Sequence, residues 1–259
     1  MKSFILVTIS IFIFTGCSNI TKKFGSSQNE QKVEQKEEPK NEKQKSDKNQ
    51  TLPQAAENKD ISTKKSAGST KGIDDLSYDI STFPADLDYE GKIVGGARWK
   101  DANGQNYLVI TETSEQRKKG KFQDFVWDKE LYAYQYISGS DGYKLLWKIQ
   151  DFVKDCEFDL TLKFIKSSLT ITDLNDNGIA ESTFMYQMSC KSDVSPDDIK
   201  LIMHENDIKY AIRGMMNLNV QGKRMQDGKM VVDRSFDDAP AGFLDYAKSQ
   251  WKKFDTQSY

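Results

Sequence analysis

The amino-acid sequence predicts a mainly β domain of two antiparallel four-stranded units with a C-terminal amphipathic helix, preceded by a disordered tether. Two observations predict the strands: apolar and polar residues alternate with a period of two on both sides of the loop that begins at Asp173, and short Asn/Asp/Gly turn signals separate many of eight strand-like segments. A third observation predicts the helix, because aromatic residues near the C-terminus recur at three- and four-residue steps.

The start of the chain has the pattern of a bacterial export signal. Lys2 supplies a positive charge, Phe4–Phe14 forms a short apolar run, and the small residues directly before Cys17 resemble a bacterial lipobox. The apolar run is shorter than the roughly 20 residues that a membrane-spanning helix needs. We therefore expect a lipoprotein in which residues 1–16 are a signal peptide and Cys17 carries acyl chains such as palmitate. The alternative is an ordinary secretory signal that happens to contain this cysteine.

Residues 17–74 are predicted to be the lipidated cysteine and a disordered tether. This Lys/Glu/Gln-rich stretch has almost no large apolar side chains, so it cannot bury enough surface to offset the entropy of ordering. Residues 75–259 follow as one β-rich globular domain, long enough for a single core. Lipidation would place the protein in the cell envelope, and we expect it at the outer membrane, with the leaflet left open. The formal charge of −2 argues against a nucleic-acid partner.

The strand candidates follow one another closely along the chain, and short turn signals such as Asn103-Gly104 and Asn177-Gly178 separate many of them. The eight predicted strands are Lys92–Lys100, Asn106–Thr113, Lys129–Ile137, Tyr143–Ile149, Ser168–Thr172, Ser182–Ser189, Ile199–Glu205 and Lys209–Met215. Two shorter candidates are Asn217–Val220 and Met230–Asp233, and Gln150–Ile165 stays undecided between a strand and a loop. The adjacent Gly95 and Gly96 inside the first strand indicate a β-bulge.

An internal pseudo-repeat relates Trp99–Glu112 to Ile171–Tyr186. Each segment has an apolar residue, an Asp, a polar Gly-containing loop and then a strand, and each is followed by a hairpin-like pair. This plan resembles single blades of the FG-GAP type of β-propeller, whose loops carry DxDxDG-like calcium sites. Two units cannot close a propeller, so we expect a two-sheet or continuous antiparallel assembly covered by the C-terminal helix.

The C-terminal helix is predicted to begin near Asp237-Asp238-Ala239-Pro240, where acids and Pro favour a helix start. Its apolar face consists of Phe243, Ala247, Trp251 and Phe254. We expect this face to pack on the sheet; the alternative is that it lies on a membrane.

Cys156 and Cys190 remain as an even pair once Cys17 is lipidated. Because exported proteins fold in an oxidising compartment, we predict a disulfide between them. In the chain-entropy model this bond stabilises the fold by roughly 3–4 kcal/mol. The alternative is two buried free thiols.

The loop between the predicted strands Ser168–Thr172 and Ser182–Ser189 spaces oxygen-bearing side chains as a hard cation requires. Gly178 stands where the backbone must turn sharply, and the loop is similar to the FG-GAP-type calcium loops. The predicted calcium ligands are Asp173, Asn175, Asn177, the carbonyl of Ile179, and Glu181. With only two carboxylates, this site would bind one calcium ion weakly. The alternative is an Asx-rich hairpin turn without an ion, and the related Asp101, Asn103 and Asn106 predict such a turn.

Three tyrosines, Tyr132, Tyr134 and Tyr136, share one face of a predicted strand. Such a face suits sugar rings, although packing in the core is the alternative that we favour. His204 is the only histidine, and no second His or nucleophile motif accompanies it, so we expect it at the surface or rim.

Several blocks between about Asp86 and Phe254 carry a resemblance to a family. The blocks are DANGQNYLVITET, ELYAYQY, KDCEFDLTLKFI, TDLNDNGIAESTFMY, SDVSP, KLIMHE and KYAIRG. Together they resemble the Bacteroidota family of surface polysaccharide biosynthesis lipoproteins. The resemblance implies a role linked to lipopolysaccharide or capsule, favours Cys156 and Cys190 as a fixed pair, and carries over no catalytic residue.

The sequence therefore favours a non-enzymatic, lipid-anchored envelope protein that assembles or displays surface polysaccharide by binding glycan or another envelope protein. One alternative is an envelope enzyme acting on polysaccharide through loop carboxylates. A third hypothesis is a calcium-stabilised structural module. A deep pocket with two close carboxylates would favour the enzyme, and a shallow aromatic or loop-built face would favour binding.

Overall fold

A computed structural model of the chain describes residues 69–259. The predicted signal peptide, Cys17 and the tether up to residue 68 lie outside the described residues. The last part of the predicted tether is described, and Asp74 already begins the first strand. Ser69, in the part assigned to the tether, is hydrogen-bonded to the domain through its carbonyl.

The first sheet has six strands in antiparallel pairs. They are β1 (Asp74–Ser77), β2 (Lys92–Asp101), β3 (Gly104–Glu112), β4 (Gln116–Lys118), β5 (Val126–Gly139) and β6 (Gly142–Cys156). The long β5 strand is central, because β3 and β4 pair with successive parts of one edge and β6 pairs with the other. The register of β2 on β3 shifts between Ile93 and Gly95, which confirms the predicted bulge.

The second sheet also has six strands, again antiparallel. They are β7 (Asp159–Phe164), β8 (Thr170–Thr172), β9 (Glu181–Lys191), β10 (Asp198–Glu205), β11 (Ile208–Met215) and β14 (Lys229–Val232). A separate three-stranded sheet contains β12 (Asn217–Val220), β13 (Lys223–Gln226) and β15 (Thr256–Ser258).

The predicted fold class is confirmed: the described chain is mainly β, with two antiparallel units and one C-terminal helix. Each sheet is larger than the four strands predicted, because short flanking strands extend it. The undecided segment Gln150–Ile165 forms the end of β6 and all of β7.

The two six-stranded sheets enclose a common hydrophobic core. Its buried side chains come from both sheets and include Trp99, Leu108, Leu131, Phe164, Phe184 and Tyr186. Cys156 at the end of β6 is bonded to Cys190 on β9, which confirms the predicted disulfide and joins one sheet to the other.

Each sheet is also covered on its second face. The helix α1 (Phe243–Phe254) packs Phe243, Ala247 and Trp251 against the second sheet, as predicted. On the first sheet, Phe83 and Leu87 pack against the outer face of β5. Because β5 is covered on both faces, buried and exposed residues do not alternate along its centre, and every residue from Leu131 to Tyr136 is buried.

The helix begins later than its sequence signal. A short 3-10 helix, Arg234–Phe236, lies directly before the predicted start and is capped by Asp233. Gly242 then adopts a left-handed backbone with φ 89°, which is not helical, so Phe243 is the first helical residue. Within residues 69–259, no helix is both long and apolar enough to cross a membrane.

Candidate functional site

The Asp173 loop, residues 173–180 between β8 and β9, lies where turns of both sheets meet. Its Gly178 carbonyl accepts a hydrogen bond from the Ala102 N–H at 2.8 Å. In the other direction, the Ala180 N–H donates to Asp101 Oδ2 at 3.1 Å. The two loops of the pseudo-repeat therefore hold each other in place.

Asp101 organises the smaller of these two loops. Its Oδ1 accepts hydrogen bonds from the Asn103 N–H at 2.9 Å and from the Asn106 amide at 3.0 Å. Its Oδ2 also accepts from the Trp99 indole N–H at 2.9 Å. This carboxylate closes a turn, which is the role that the sequence predicts for it.

Asp173 organises the larger loop in the same way, although it is only 1% exposed. Its two oxygens accept hydrogen bonds from the N–H groups of Asn177, at 3.1 Å, and Gly178, at 3.0 Å. Asp176 and Gly178 adopt left-handed backbones, with φ 54° and 79°. Gly178 thus stands at the sharp turn, as predicted, in a backbone conformation that residues with a side chain rarely adopt.

Glu181, at the start of β9, is fully buried. Its Oε2 accepts hydrogen bonds from the Thr172 hydroxyl and the Leu174 N–H, both at 3.0 Å. Its Oε1 has no hydrogen-bond partner within the described chain. Burial raises the pKa of Glu181 to about 7, because the charged carboxylate loses its hydration there.

Glu205, which the sequence analysis missed, completes this cluster. Its Oε1 accepts hydrogen bonds from the side-chain amides of Asn175 and Asn177, both at 2.8 Å. The register of β9 on β10 also places Glu205 directly opposite Glu181. This like-charge pair is unfavourable unless other groups compensate it, and it follows from the strand register, which the sequence pattern does not give.

The predicted calcium ligands are thus brought together, but the loop is already closed by its own hydrogen bonds. The side-chain Oδ1 atoms of Asn175 and Asn177 accept hydrogen bonds from the backbone N–H groups of Asn177 and Ile179, respectively. Within residues 69–259, no group of three or more His, Cys, Asp or Glu side chains is arranged to hold a metal ion. The feature that fits a cation is the buried, unpartnered oxygen of Glu181, since a buried charge requires a partner.

The chain that enters the domain crosses this loop. The Asp173 N–H donates to the Ser69 carbonyl at 2.7 Å, and the Ser69 hydroxyl lies 3.4 Å from Asp176 Oδ1. Gly72 approaches so closely that an added Cβ would lie 3.4 Å from Asp173 Oδ2. The residues that were predicted to be the end of the tether therefore help to bury Asp173.

The three candidate ligand-binding tyrosines are packed inside the protein. Tyr132, Tyr134 and Tyr136 are at most 5% exposed, and successive rings stack with centroids 5.9 and 6.3 Å apart. Their hydroxyls hold the covering segment: Tyr134 accepts from the Glu90 N–H at 3.1 Å, and Tyr136 donates to the Asp88 carbonyl. Their rings are therefore not accessible to a sugar, and these tyrosines pack in the core, which is the alternative that we favoured.

A different surface is open to ligands. A cleft of about 410 Å³ lies between β2 of the first sheet and residues 164–169 of the second. Tyr78 and Ile80 stand at this cleft with 49% and 36% of their surfaces exposed. The full lining is Tyr78, Ile80, Val94, Gly95, Gly96, Phe164, Lys166, Ser167 and Leu169.

The glycine pair gives the cleft its shape. A Cβ on Gly95 would lie 2.4 Å from the Phe164 ring, and one on Gly96 would lie 2.2 Å from the Leu108 carbonyl. Only residues without a side chain fit at these two places. The sequence signal for this cleft was therefore present in Gly95-Gly96, but it indicated a bulge and not a ligand site.

His204 was expected at the surface, and this expectation is wrong. It is 3% exposed and lies in the interior between the sheets. Its cross-strand partner on β9 is Ser182, which is buried as well. His204 lies on β10, inside the strand predicted for Ile199–Glu205, but its face of the strand meets the other sheet.

The described surface thus offers an open, largely apolar cleft, while Asp173 and Glu181 are buried and accept hydrogen bonds. Such a cleft can bind a ligand with an apolar face. Comparison with protein-family models, with curated proteins and with solved structures finds no match to this chain. Its function is therefore inferred from the residues described above.

Proposed function

We propose that this protein is a non-enzymatic, lipid-anchored envelope protein that binds surface polysaccharide through the cleft between β2 and residues 164–169. The observation that carries this proposal is the half-exposed Tyr78 ring beside an apolar cleft. Sugar rings present apolar faces that pack on aromatic side chains, while their hydroxyls need polar partners nearby.

Polar partners are available beside the apolar surface. Lys166 and Ser167 line the same cleft and are exposed. The turn that carries them is anchored from below, because the buried Ser168 hydroxyl accepts the Met185 N–H at 2.8 Å. An ammonium and a hydroxyl in fixed positions suit a glycan that carries hydroxyl, carboxylate or phosphate groups.

Binding is favoured over hydrolysis by what lines the cleft. Among the described residues that line it, none is acidic. A glycosidase needs two carboxylates about 5–10 Å apart across its cleft. The acids that the enzyme hypothesis would use, Asp173 and Glu181, are at most 1% exposed and already accept hydrogen bonds.

The location and ligand class in this proposal come from the sequence. The predicted signal peptide of residues 1–16 and the lipobox-like Cys17 support a lipid anchor, which we propose to lie at the outer membrane. The resemblance to surface polysaccharide biosynthesis lipoproteins supports lipopolysaccharide or capsule as the ligand. Another envelope protein is the alternative occupant of the cleft.

A calcium-stabilised loop is a second proposal, favoured by the unpartnered Oε1 of Glu181. Asp173, Asn175, Asn177, the Ile179 carbonyl and Glu181 would hold one calcium ion. The ion would neutralise buried charge and stabilise the loop end of the domain. Two carboxylates predict weak affinity, with a Kd of about 10⁻⁴–10⁻³ M.

The polysaccharide proposal is tested with the chain from Ser18 onward, which lacks only the predicted signal peptide and lipidated cysteine. Its binding to purified lipopolysaccharide and capsular polysaccharide is measured by calorimetry. We expect Tyr78→Ala to weaken binding about tenfold, because it removes the aromatic platform. Tyr259→Ala is the matched control, since Tyr259 is 54% exposed but lies outside the cleft. Equal binding by wild type and Tyr78→Ala would refute the cleft as the site.

A further inference from the structure

The segment from Arg117, at the end of β4, to Phe125, directly before β5, is here called the basic aromatic loop, and it exposes an unusual amount of apolar surface. Phe122 is 84% exposed and Phe125 is 41% exposed. An aromatic side chain left almost entirely in water contributes nothing to the core. Exposed apolar groups of this kind mark sites of interaction with partners or membranes.

Positive charges surround these two rings. The loop contains Arg117, Lys118, Lys119 and Lys121 against a single acid, Asp124. Lys118 is neutralised locally, because it pairs with Asp128 at 2.6 Å and Asp155 at 3.1 Å. In the part of the chain that the structure describes, none of the other three cations forms an ion pair.

Two of these cations lie directly over the exposed rings. The Arg117 guanidinium is 4.0 Å from the Phe125 ring centroid, and the Lys121 ammonium is 5.2 Å from that of Phe122. Apolar rings and unpaired cations are thus held side by side on one short surface loop. This combination matches the boundary between lipid headgroups and acyl chains, where rings are buried and cations meet phosphates.

We propose that the basic aromatic loop docks the domain on an anionic phospholipid bilayer. Phe122 enters the headgroup region, while Arg117, Lys119 and Lys121 bind lipid phosphates. The argument for this occupant is charge complementarity combined with the exposed ring. This contact is independent of the cleft at Tyr78 and would add to the affinity that a lipid anchor at Cys17 provides.

The position of the loop gives docking a defined orientation. The loop directly precedes β5, whose Trp127 pairs with Cys156 at the end of β6. The Asp173 loop and the entering residue Ser69 lie at the opposite end, where β9 begins. A docked domain therefore points the Asp173 loop away from the bilayer.

Vesicle binding by the chain from Ser18 onward tests the proposal without the lipid anchor. The vesicles contain equal parts of phosphatidylglycerol and phosphatidylcholine, and pure phosphatidylcholine vesicles serve as the comparison. The variants are Phe122→Ser and the double variant Lys119→Glu/Lys121→Glu. Phe158→Ser is the matched control, because Phe158 is 53% exposed at the same end of the sheets but stands between Glu157 and Asp159.

We expect the wild-type chain to cosediment with the anionic vesicles only, and high salt should weaken this binding. Phe122→Ser should weaken it about tenfold. The double variant should bind weakly as well, and Phe158→Ser should bind like wild type. A Phe122→Trp variant should show a fluorescence blue shift on anionic vesicles. Absence of binding, or equal binding by wild type and Phe122→Ser, would overturn the proposal. Self-association that Phe122→Ser abolishes, without vesicle binding, would also overturn it and assign the loop to a second copy of the chain.

Discussion

The imidazole of His204 lies flat against the indole of Trp147, with ring centroids 3.9 Å apart and planes inclined by 11°. The pair joins β10 of the second sheet to β6 of the first. Burial lowers the pKa of His204 to about 3, with a smaller contribution from the nearby Lys209 charge. The ring is therefore neutral in the folded protein at physiological pH.

This contact predicts a pH dependence of stability. Because the pKa of His204 is lower in the folded chain than its ordinary value of 6.5, stability is complete above pH 6.5 and is lost as the pH falls towards 3. Between pH 6.5 and 5 the free energy of unfolding should fall by about 2 kcal/mol from this group alone.

Urea unfolding across this pH range measures the effect. His204→Phe keeps an aromatic ring against Trp147 but cannot take up a proton, so its stability should depend less on pH by the same amount. A variant with the same pH slope as wild type would show that His204 does not titrate on unfolding as predicted.

Calcium should raise the melting temperature of the wild-type chain at millimolar concentration and about pH 8, where Glu181 is ionised. Glu181→Gln should lose this response, because it removes the buried charge that the ion would neutralise. The same variant should be more stable than wild type in chelator, since the raised pKa of Glu181 means that its ionised form costs stability as the pH rises through about 7.

Two further variants separate the ion from the turn. Asp173→Ala should also lose the calcium response and should be less stable throughout, by about 1–3 kcal/mol, because two loop N–H groups lose their acceptor. Glu157→Gln, a surface change, should respond to calcium like wild type. No calcium response in wild type would leave the loop as a turn held by its own hydrogen bonds.

Breaking the Cys156–Cys190 bond should destabilise the domain. The bond closes a loop with a sequence separation of 34 residues, and such a loop predicts a loss of roughly 3–4 kcal/mol in the chain-entropy model. Denaturant unfolding of Cys156→Ser/Cys190→Ser, compared with wild type in reducing and non-reducing buffer, measures this loss. Reduced wild type should match the double variant; unequal stabilities would assign part of the effect to the serines.

Predictions from the sequence succeeded where a pattern repeats along one strand or one helix. The alternation in Ser182–Ser189 predicted β9, and the spacing of Phe243, Ala247 and Trp251 predicted the helix and its buried face. The predictions were less accurate at the ends of strands and helices. The helix start moved to Phe243 because Gly242 adopts a left-handed backbone, which the acidic signal upstream does not reveal.

The candidate site could be predicted only in part. Asp173, Asn175, Asn177 and Glu181 follow one another in a single loop, so their spacing could be read directly. Glu205 comes from another strand, and it reaches the loop only through the register of β10 on β9. The cleft at Tyr78 was missed for the same reason, because its walls come from segments far apart in sequence.

The sequence by itself determined the strand pattern, the C-terminal helix, the cysteine pair and the oxygen-rich loop, because each depends on residues close in the chain or on composition. Only the tertiary structure decided which strand faces are covered. Stacking one sheet on the other buried His204, and the segment carrying Leu87 buried the tyrosines of β5. Burial depends on what packs against a face, and alternation within a strand distinguishes two faces without saying what each one meets.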